Sequence, residues 1–96
     1  MRACHLLHPA TGLTIGLMQH NPGKDGDFSE FRVGLDHLAL TVTSREELER
    51  WIVQLDACDV KHSEIHDIPY GSVVVFRDPD NIQLELFFLG PGYRFD

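Results

Sequence analysis

The sequence predicts an α+β fold, with one helix packed on one face of a curved, antiparallel-rich sheet. Residues 44–59 have apolar side chains at helical spacing, whereas the segments on both sides alternate apolar and polar side chains with a period of two. The predicted order from residue 35 onward is β, α, β, β, β, and a β-hairpin precedes it. A chain of 96 residues is long enough for one domain with a hydrophobic core.

The hairpin is predicted for residues 1–21. Two strands, residues 2–7 and 13–19, flank a turn in which Pro9 and Gly12 supply typical turn chemistry. Residues 21–29 follow, with glycine, proline and charged residues and no apolar period. We therefore expect a loop there, within a linker that covers residues 22–33.

The helix is predicted by a capping-box pattern, Ser44 followed by Glu47, with acidic residues in its first turn. Its apolar side chains are spaced i, i+3, i+4 and i+7 and predict one buried stripe: Leu48, Trp51, Ile52 and Leu55. This stripe would cover the apolar rows of two strands, residues 35–42 and 82–89. Between the helix and the last strand, the sequence predicts a polar edge strand (60–66), a turn (67–71), an inner strand (72–77) and a tight turn (78–81).

Two polar side chains are predicted on the sheet face that the helix leaves open. In the last strand, Glu85 lies opposite the apolar row of Leu84 and Leu86. The same parity places His37 opposite Leu38 and Leu40. A carboxylate in mid-strand is costly to bury unless it is paired, protonated or bound to a metal. Glu85 is therefore the strongest indication of function.

Composition excludes several classes of function. A net charge of −7 and scattered basic residues argue against binding to nucleic acid. The sequence contains no segment of about 20 apolar residues and no recognisable signal peptide, so we expect a cytoplasmic protein without membrane spans. Cys4 and Cys58 lack the Cys-x-x-Cys spacing and are expected to be reduced, partly buried thiols.

Two motifs, GLDHLAL (34–40) and FRDPDNIQLELF (76–87), resemble the vicinal-oxygen-chelate superfamily, also called the glyoxalase/bleomycin-resistance/extradiol-dioxygenase family. The resemblance is close over residues 34–89 and looser over residues 1–21. It implies a single domain over residues 1–96. Residues 1–21 would be the hairpin of a partial first module, 22–33 a linker, 34–89 a complete βαβββ module and 90–96 an extended tail.

The resemblance also implies a site. His37 and Glu85 stand at positions where the family supplies metal ligands, and Glu85 could also act as a catalytic base. A divalent ion such as Fe, Mn, Ni, Co or Zn suits such a ligand set. The implied activity is that of a metal-dependent lyase, isomerase or dioxygenase acting on a small organic substrate with vicinal oxygens.

Only half of the family's ligand set is visible in the sequence. Either the start of a two-module protein is missing, or a homodimer brings together His37 and Glu85 of two subunits. The alternative function is metal-free sequestration of a drug-like or natural-product ligand, as in bleomycin-resistance members. An inactive fragment is a third possibility.

Each candidate also has a purely structural interpretation. His37 could hydrogen-bond only to neighbours or solvent, and Glu85 could pair with Arg77 or another base. The alternating His62, Glu64 and His66 resemble a ligand set, but an exposed polar edge is the commoner outcome for such a strand.

Overall fold

The computed structural model describes residues 1–20 and 26–93. It confirms the α+β class, with one helix and six strands in these residues: β1 (Arg2–Leu7), β2 (Thr14–Gln19), β3 (His37–Val42), α1 (Arg45–Ala57), β4 (His66–Ile68), β5 (Gly71–Arg77) and β6 (Gln83–Leu89). Part of the predicted loop (21–25) and the end of the predicted tail (94–96) lie outside the described residues. The predicted domain boundaries stay predictions.

The strands form two sheets. β1 and β2 pair as an antiparallel hairpin, and the other four form a sheet with the order β3-β6-β5-β4. β3 runs parallel to β6, and the remaining pairs in this sheet are antiparallel. The last strand therefore lies between β3 and β5, so that its side chains have neighbours on both sides.

The hydrophobic core lies between α1 and one face of the four-stranded sheet. Leu48 and Leu55 of the helix are buried against Val74 of β5 and Leu86 of β6. Partly buried apolar residues extend this core: Leu40, Val42, Ile52, Val60, Ile65, Phe76 and Phe88. The helix thus covers the apolar rows, as the sequence predicts, and leaves the opposite face of the sheet uncovered. We call that opposite face the open face.

One member of the predicted stripe is not in the core. Trp51 has 41% of its surface exposed, so the prediction of a fully buried stripe is wrong at this position. Its neighbour Ile52 packs on the core instead. The indole lies at the side of the helix, where it lines a cavity of about 460 Å³ together with Leu6 and Ile15 of the hairpin.

The start of the helix follows the predicted capping box with one difference. Ser44 Oγ accepts a hydrogen bond from the Glu47 backbone N–H at 3.1 Å. The Glu47 carboxylate reaches back to Thr43 and accepts from its N–H and its hydroxyl, both at 2.7 Å. These bonds lower the pKa of Glu47, because they favour the charged carboxylate. The cap thus fixes the chain direction between β3 and α1.

The segment between α1 and β5 differs from its prediction. The strand predicted for 60–66 is wrong, because β4 comprises only His66–Ile68, and the turn predicted for 67–71 is confined to residues 69–70. Before it, Ser63 occupies the edge of β5 with both backbone and side chain: its N–H donates to Val75 O at 2.8 Å, and its hydroxyl accepts from Val75 N–H at 3.0 Å. A hydroxyl thus takes a backbone bond that a regular ladder would make, and His62 forms an isolated bridge with Phe76.

Two further expectations can be compared with the structure. Cys4 and Cys58 are free thiols, as predicted, but both are exposed rather than partly buried. Across the described residues, no helix has the length and hydrophobicity that crossing a membrane requires.

Candidate functional site

The two predicted site residues lie on the open face, on adjacent parallel strands. In the register, Gln83 of β6 is opposite His37 of β3, and Glu85 is opposite Ala39. Side chains two residues apart on a strand share one face, so His37 and Glu85 are diagonal neighbours. This result depends on the strand order, because β6 pairs directly with β3 although α1, β4 and β5 lie between them in the sequence.

His37 is oriented by the residue before it. Its Nδ1 lies 2.7 Å from Asp36 Oδ1, and 45% of its side chain is exposed. A carboxylate accepts, so Nδ1 carries the proton of this bond, and Nε2 has no hydrogen-bond partner among the described residues. The bond to Asp36, followed by the charge of Glu85, raises the pKa of His37.

Glu85 is half-buried in the middle of β6. Its Oε1 accepts a hydrogen bond from Gln83 Nε2 at 2.8 Å. Among the described residues it forms no ion pair with Arg77; instead Arg77 Nη2 donates to Gln83 Oε1 at 3.1 Å, so Gln83 lies between the two charges. The arrangement leaves Oε2 of Glu85 available on the open face.

The donors present suit a divalent ion but do not complete a site. An imidazole nitrogen and a carboxylate oxygen are ligands for Fe, Mn, Ni, Co and Zn. Metal-binding histidines commonly donate their other N–H to a carboxylate, as His37 does to Asp36. The described part of the chain contains no group of three His, Cys, Asp or Glu side chains placed to hold a metal. Any further ligand must therefore come from elsewhere.

The alternating histidines before β5 do not form such a group. His62 is only 15% exposed, and both of its ring nitrogens are engaged: Nε2 with Asp56 Oδ1 and Nδ1 with Ser63 O, each at 2.7 Å. Its contacts tie the end of α1 to the segment that precedes β4. The geometry thus favours a structural role for His62 over metal binding.

The sequence suggested Arg77 as a direct partner of Glu85, whereas the structure places Gln83 between them. The shared face of Arg77, Gln83 and Glu85 could nevertheless be predicted from the sequence, because two strands with a period of two pair across a tight turn. The hydrogen bonds between these side chains could not be predicted from the sequence, because they depend on side-chain conformations.

Comparisons with known proteins identify the family to which the chain belongs. A scan against models of protein families and a search of curated proteins find no match. Among solved structures, the fold is similar to a glyoxylase/bleomycin resistance protein/dioxygenase domain from Frankia sp. EAN1pec. The TM-score is 0.85 and the sequence identity 34%, over 95% of this chain and 67% of that chain. The chain belongs to the glyoxalase/bleomycin-resistance/dioxygenase family.

Two more distant structures share the family fold. The fosfomycin resistance protein FosX from Listeria monocytogenes has a TM-score of 0.66 at 21% identity, over 94% of this chain and 68% of that one. A lactoylglutathione lyase from Agrobacterium tumefaciens has a TM-score of 0.53 at 22% identity, over 75% and 52%. The chain thus spans about two thirds of the length of its Frankia relative. Family membership confirms the resemblance seen in the two motifs, while the ligand roles of His37 and Glu85 stay predictions.

Proposed function

We propose that this chain supplies half of a metal site, in which His37 Nε2 and Glu85 Oε2 bind a divalent ion on the open face. The substrate would be a small organic molecule with vicinal oxygens, converted in a lyase, isomerase or dioxygenase reaction. Fe, Mn, Ni, Co and Zn all suit the donors. When bound, such an ion polarises or orients the oxygens of a substrate.

The observation that carries this proposal is the shared face of His37 and Glu85. One ring nitrogen and one carboxylate oxygen are held by neighbours, namely Asp36 and Gln83, while the second atom of each group has no such bond within the described residues. Neighbours that fix a ligand's orientation reduce the entropy lost on binding. The pair is therefore prepared to bind a ligand from the open side.

Glu85 has a second role in this proposal. In the isomerase variant, Glu85 Oε2 would leave the ion and accept a proton from a substrate carbon next to a carbonyl group, while Gln83 still holds Oε1. The half-buried position of Glu85 limits competition from water. His37 and Asp36 would then hold the substrate side of the site in place while Glu85 moves the proton.

The missing ligands are proposed to come from a second copy. A twofold axis next to the open face would bring two His37 and two Glu85 side chains together, which makes four ligands from two chains. The exposed apolar residues of the hairpin support association, since Leu6, Leu7 and Leu17 are each more than half exposed.

The alternative function is metal-free binding of a drug-like or natural-product ligand. Two observations favour it: the described residues provide only two of the required ligands, and Trp51 lines an apolar cavity of about 460 Å³. A net charge of −7 would favour a cationic ligand. The Frankia relative is named as a glyoxylase/bleomycin resistance protein/dioxygenase domain, which is consistent with this alternative.

Elemental analysis of the purified protein tests the metal proposal. We expect close to one divalent ion per two chains, and a loss of that ion in His37→Ala and Glu85→Ala. His66→Ala and Glu64→Ala are matched controls that remove the same chemical groups elsewhere and should keep the ion. Metal at background level, or equal metal in all four variants, would reject the proposal.

Titration of the metal-stripped protein tests the alternative. A saturable change in Trp51 fluorescence with a cationic aromatic compound, in the presence of a chelator, would support metal-free binding. Binding that requires an added divalent ion would count against it.

A further inference from the structure

We infer that Arg77 and Gln83 are positioning residues that set the orientation of the Glu85 carboxylate. This inference rests on the proposed function, because it concerns the same carboxylate. Arg77 donates to Gln83, and Gln83 donates to Glu85, so one amide side chain connects a guanidinium to the proposed ligand Glu85.

The guanidinium at the start of this chain of bonds is held from several sides. Arg77 Nη1 donates to the backbone oxygen of Asn81 at 3.0 Å and lies 3.7 Å from Glu30 Oε2. Its Nη2 donates to Gln83 Oε1. Asn81 belongs to the tight turn between β5 and β6, and it has a positive φ of 69° there. A guanidinium fixed to the turn backbone is a rigid anchor for the next group.

The amide of Gln83 can satisfy its two neighbours in one orientation. With Oε1 towards Arg77 and Nε2 towards Glu85, both contacts are donor to acceptor. A flipped amide would face NH₂ against the guanidinium and oxygen against the carboxylate. Arg77 therefore selects the amide orientation that lets Gln83 donate to Glu85.

The consequence for Glu85 is a fixed orientation of its carboxylate group. Gln83 holds Oε1, at 2.8 Å, and the strand register places the carboxylate diagonally from His37. Without the amide bond, the carboxylate plane would be free to rotate about the terminal torsion of the side chain. The bonds from Arg77 and Gln83 thus hold the Glu85 carboxylate on the sheet face that it shares with His37.

The first test is a nuclear magnetic resonance signal of the Gln83 side-chain amide, assigned by its absence in Gln83→Glu. We expect two well-separated amide protons that move to the values of a free glutamine in Arg77→Met and in Glu85→Gln. Arg45→Met is the matched control: it removes an equally well-paired arginine on the helix and should leave the signal unchanged. A Gln83 signal already at free values, or one that Arg77→Met does not move, would overturn the inference.

The second test is calorimetric titration with Co²⁺ alone. Groups that orient a metal ligand typically change metal affinity by 10- to 100-fold, so we expect Arg77→Met and Gln83→Leu to weaken Co²⁺ binding on the order of 10-fold. Arg45→Met should not weaken it. Gln83→Leu keeps the net charge, so a similar loss in both variants cannot be ascribed to charge. Equal losses in Arg77→Met and Arg45→Met would contradict positioning.

The two tests separate the two proposals. Wild-type protein that does not bind Co²⁺ would reject the proposed function, while the amide signal still decides whether Arg77 orients Gln83. Co²⁺ binding that depends on Glu85 but not on Arg77 or Gln83 would support the proposed function and reject positioning.

Discussion

At the scale of single residues, hydrogen-bond partners decide between interpretations that the sequence leaves open. His37 and His62 both contact aspartates, but only His62 has acceptors at both ring nitrogens. A neutral imidazole has one N–H, so two acceptors require the doubly protonated ring. The bond to the Ser63 carbonyl, and then the bond to Asp56, raise the pKa of His62. The imidazolium of His62 thus links α1 to the segment before β4 through two hydrogen bonds.

These two hydrogen bonds of His62 predict a free energy of unfolding that depends on pH. The folded pKa of His62 is raised above the ordinary value of 6.5, so its contribution is fully present below about pH 6.5 and is lost as the pH rises through the folded value. Asp56→Asn should therefore lower the unfolding free energy at about pH 6 and have little effect at about pH 9. Urea unfolding at both pH values measures this difference. An equal loss at both would show that the contribution of these bonds does not depend on the imidazolium.

At the scale of secondary-structure elements, periodicity predicted most of the fold. The hairpin, the helix and the last two strands were found within two residues of their predicted limits, because each has a regular apolar pattern or a clear turn. The errors lie where contacts between elements override local pattern. The Ser63 hydroxyl accepts the backbone N–H of Val75, which a regular strand would bond through its own backbone. The Trp51 side chain lines a cavity next to the hairpin instead of packing between the helix and the sheet.

An ion pair between elements joins the start of α1 to the short strand β4. Arg45 donates to both carboxylate oxygens of Asp67, each at 3.0 Å, and Ser72 donates to Asp67 Oδ1 at 2.6 Å. These bonds, from Arg45 first and then from Ser72, lower the pKa of Asp67 to about 2. The pair therefore connects three elements: α1, β4 and β5.

The lowered pKa predicts how acid affects the fold. The contribution of Asp67 is present above the unfolded pKa of about 3.8 and is lost as the pH falls towards about 2. Asp67→Asn should destabilise the protein at neutral pH and make acid unfolding less steep between these values. Glu49→Gln is the control, because Glu49 pairs with the same arginine on the exposed helix surface, where such pairs contribute little. Acid titrations followed by circular dichroism would show the difference. Parallel curves for wild type and Asp67→Asn would contradict this assignment.

At the scale of the whole molecule, much apolar surface is uncovered. In the hairpin, Leu7 is 63% exposed and Met18 56%, while Phe31 in the linker is 93% exposed. The open face of the sheet also lacks a second layer among the described residues, since α1 covers the other side. Such surfaces usually mark an interface. The ligand set could be predicted only in part, because the described residues hold no group of three or more potential ligands. In the homodimer proposal, a second copy would supply His37 and Glu85 again, but the sequence alone does not show how two copies pair.

The homodimer proposal makes a prediction about mass. Light scattering should give about twice the chain mass of 10.9 kDa. Leu17→Glu, in the hairpin, should shift the protein towards monomer, because a buried charge would oppose association. Val53→Glu is the control, because Val53 is a similarly apolar residue on the outer side of the helix, 69% exposed. A monomer at all concentrations would eliminate a site shared between two copies.

The central claim is that His37 and Glu85 hold one divalent ion on the open face, and paramagnetic broadening by Mn²⁺ tests it most directly. Backbone amide signals should broaden first around His37 and Glu85 on β3 and β6, and the broadening should disappear in His37→Ala and in Glu85→Gln. Broadening centred on the acidic end of the helix at Asp56 and Asp59, or unchanged in both variants, would contradict the claim.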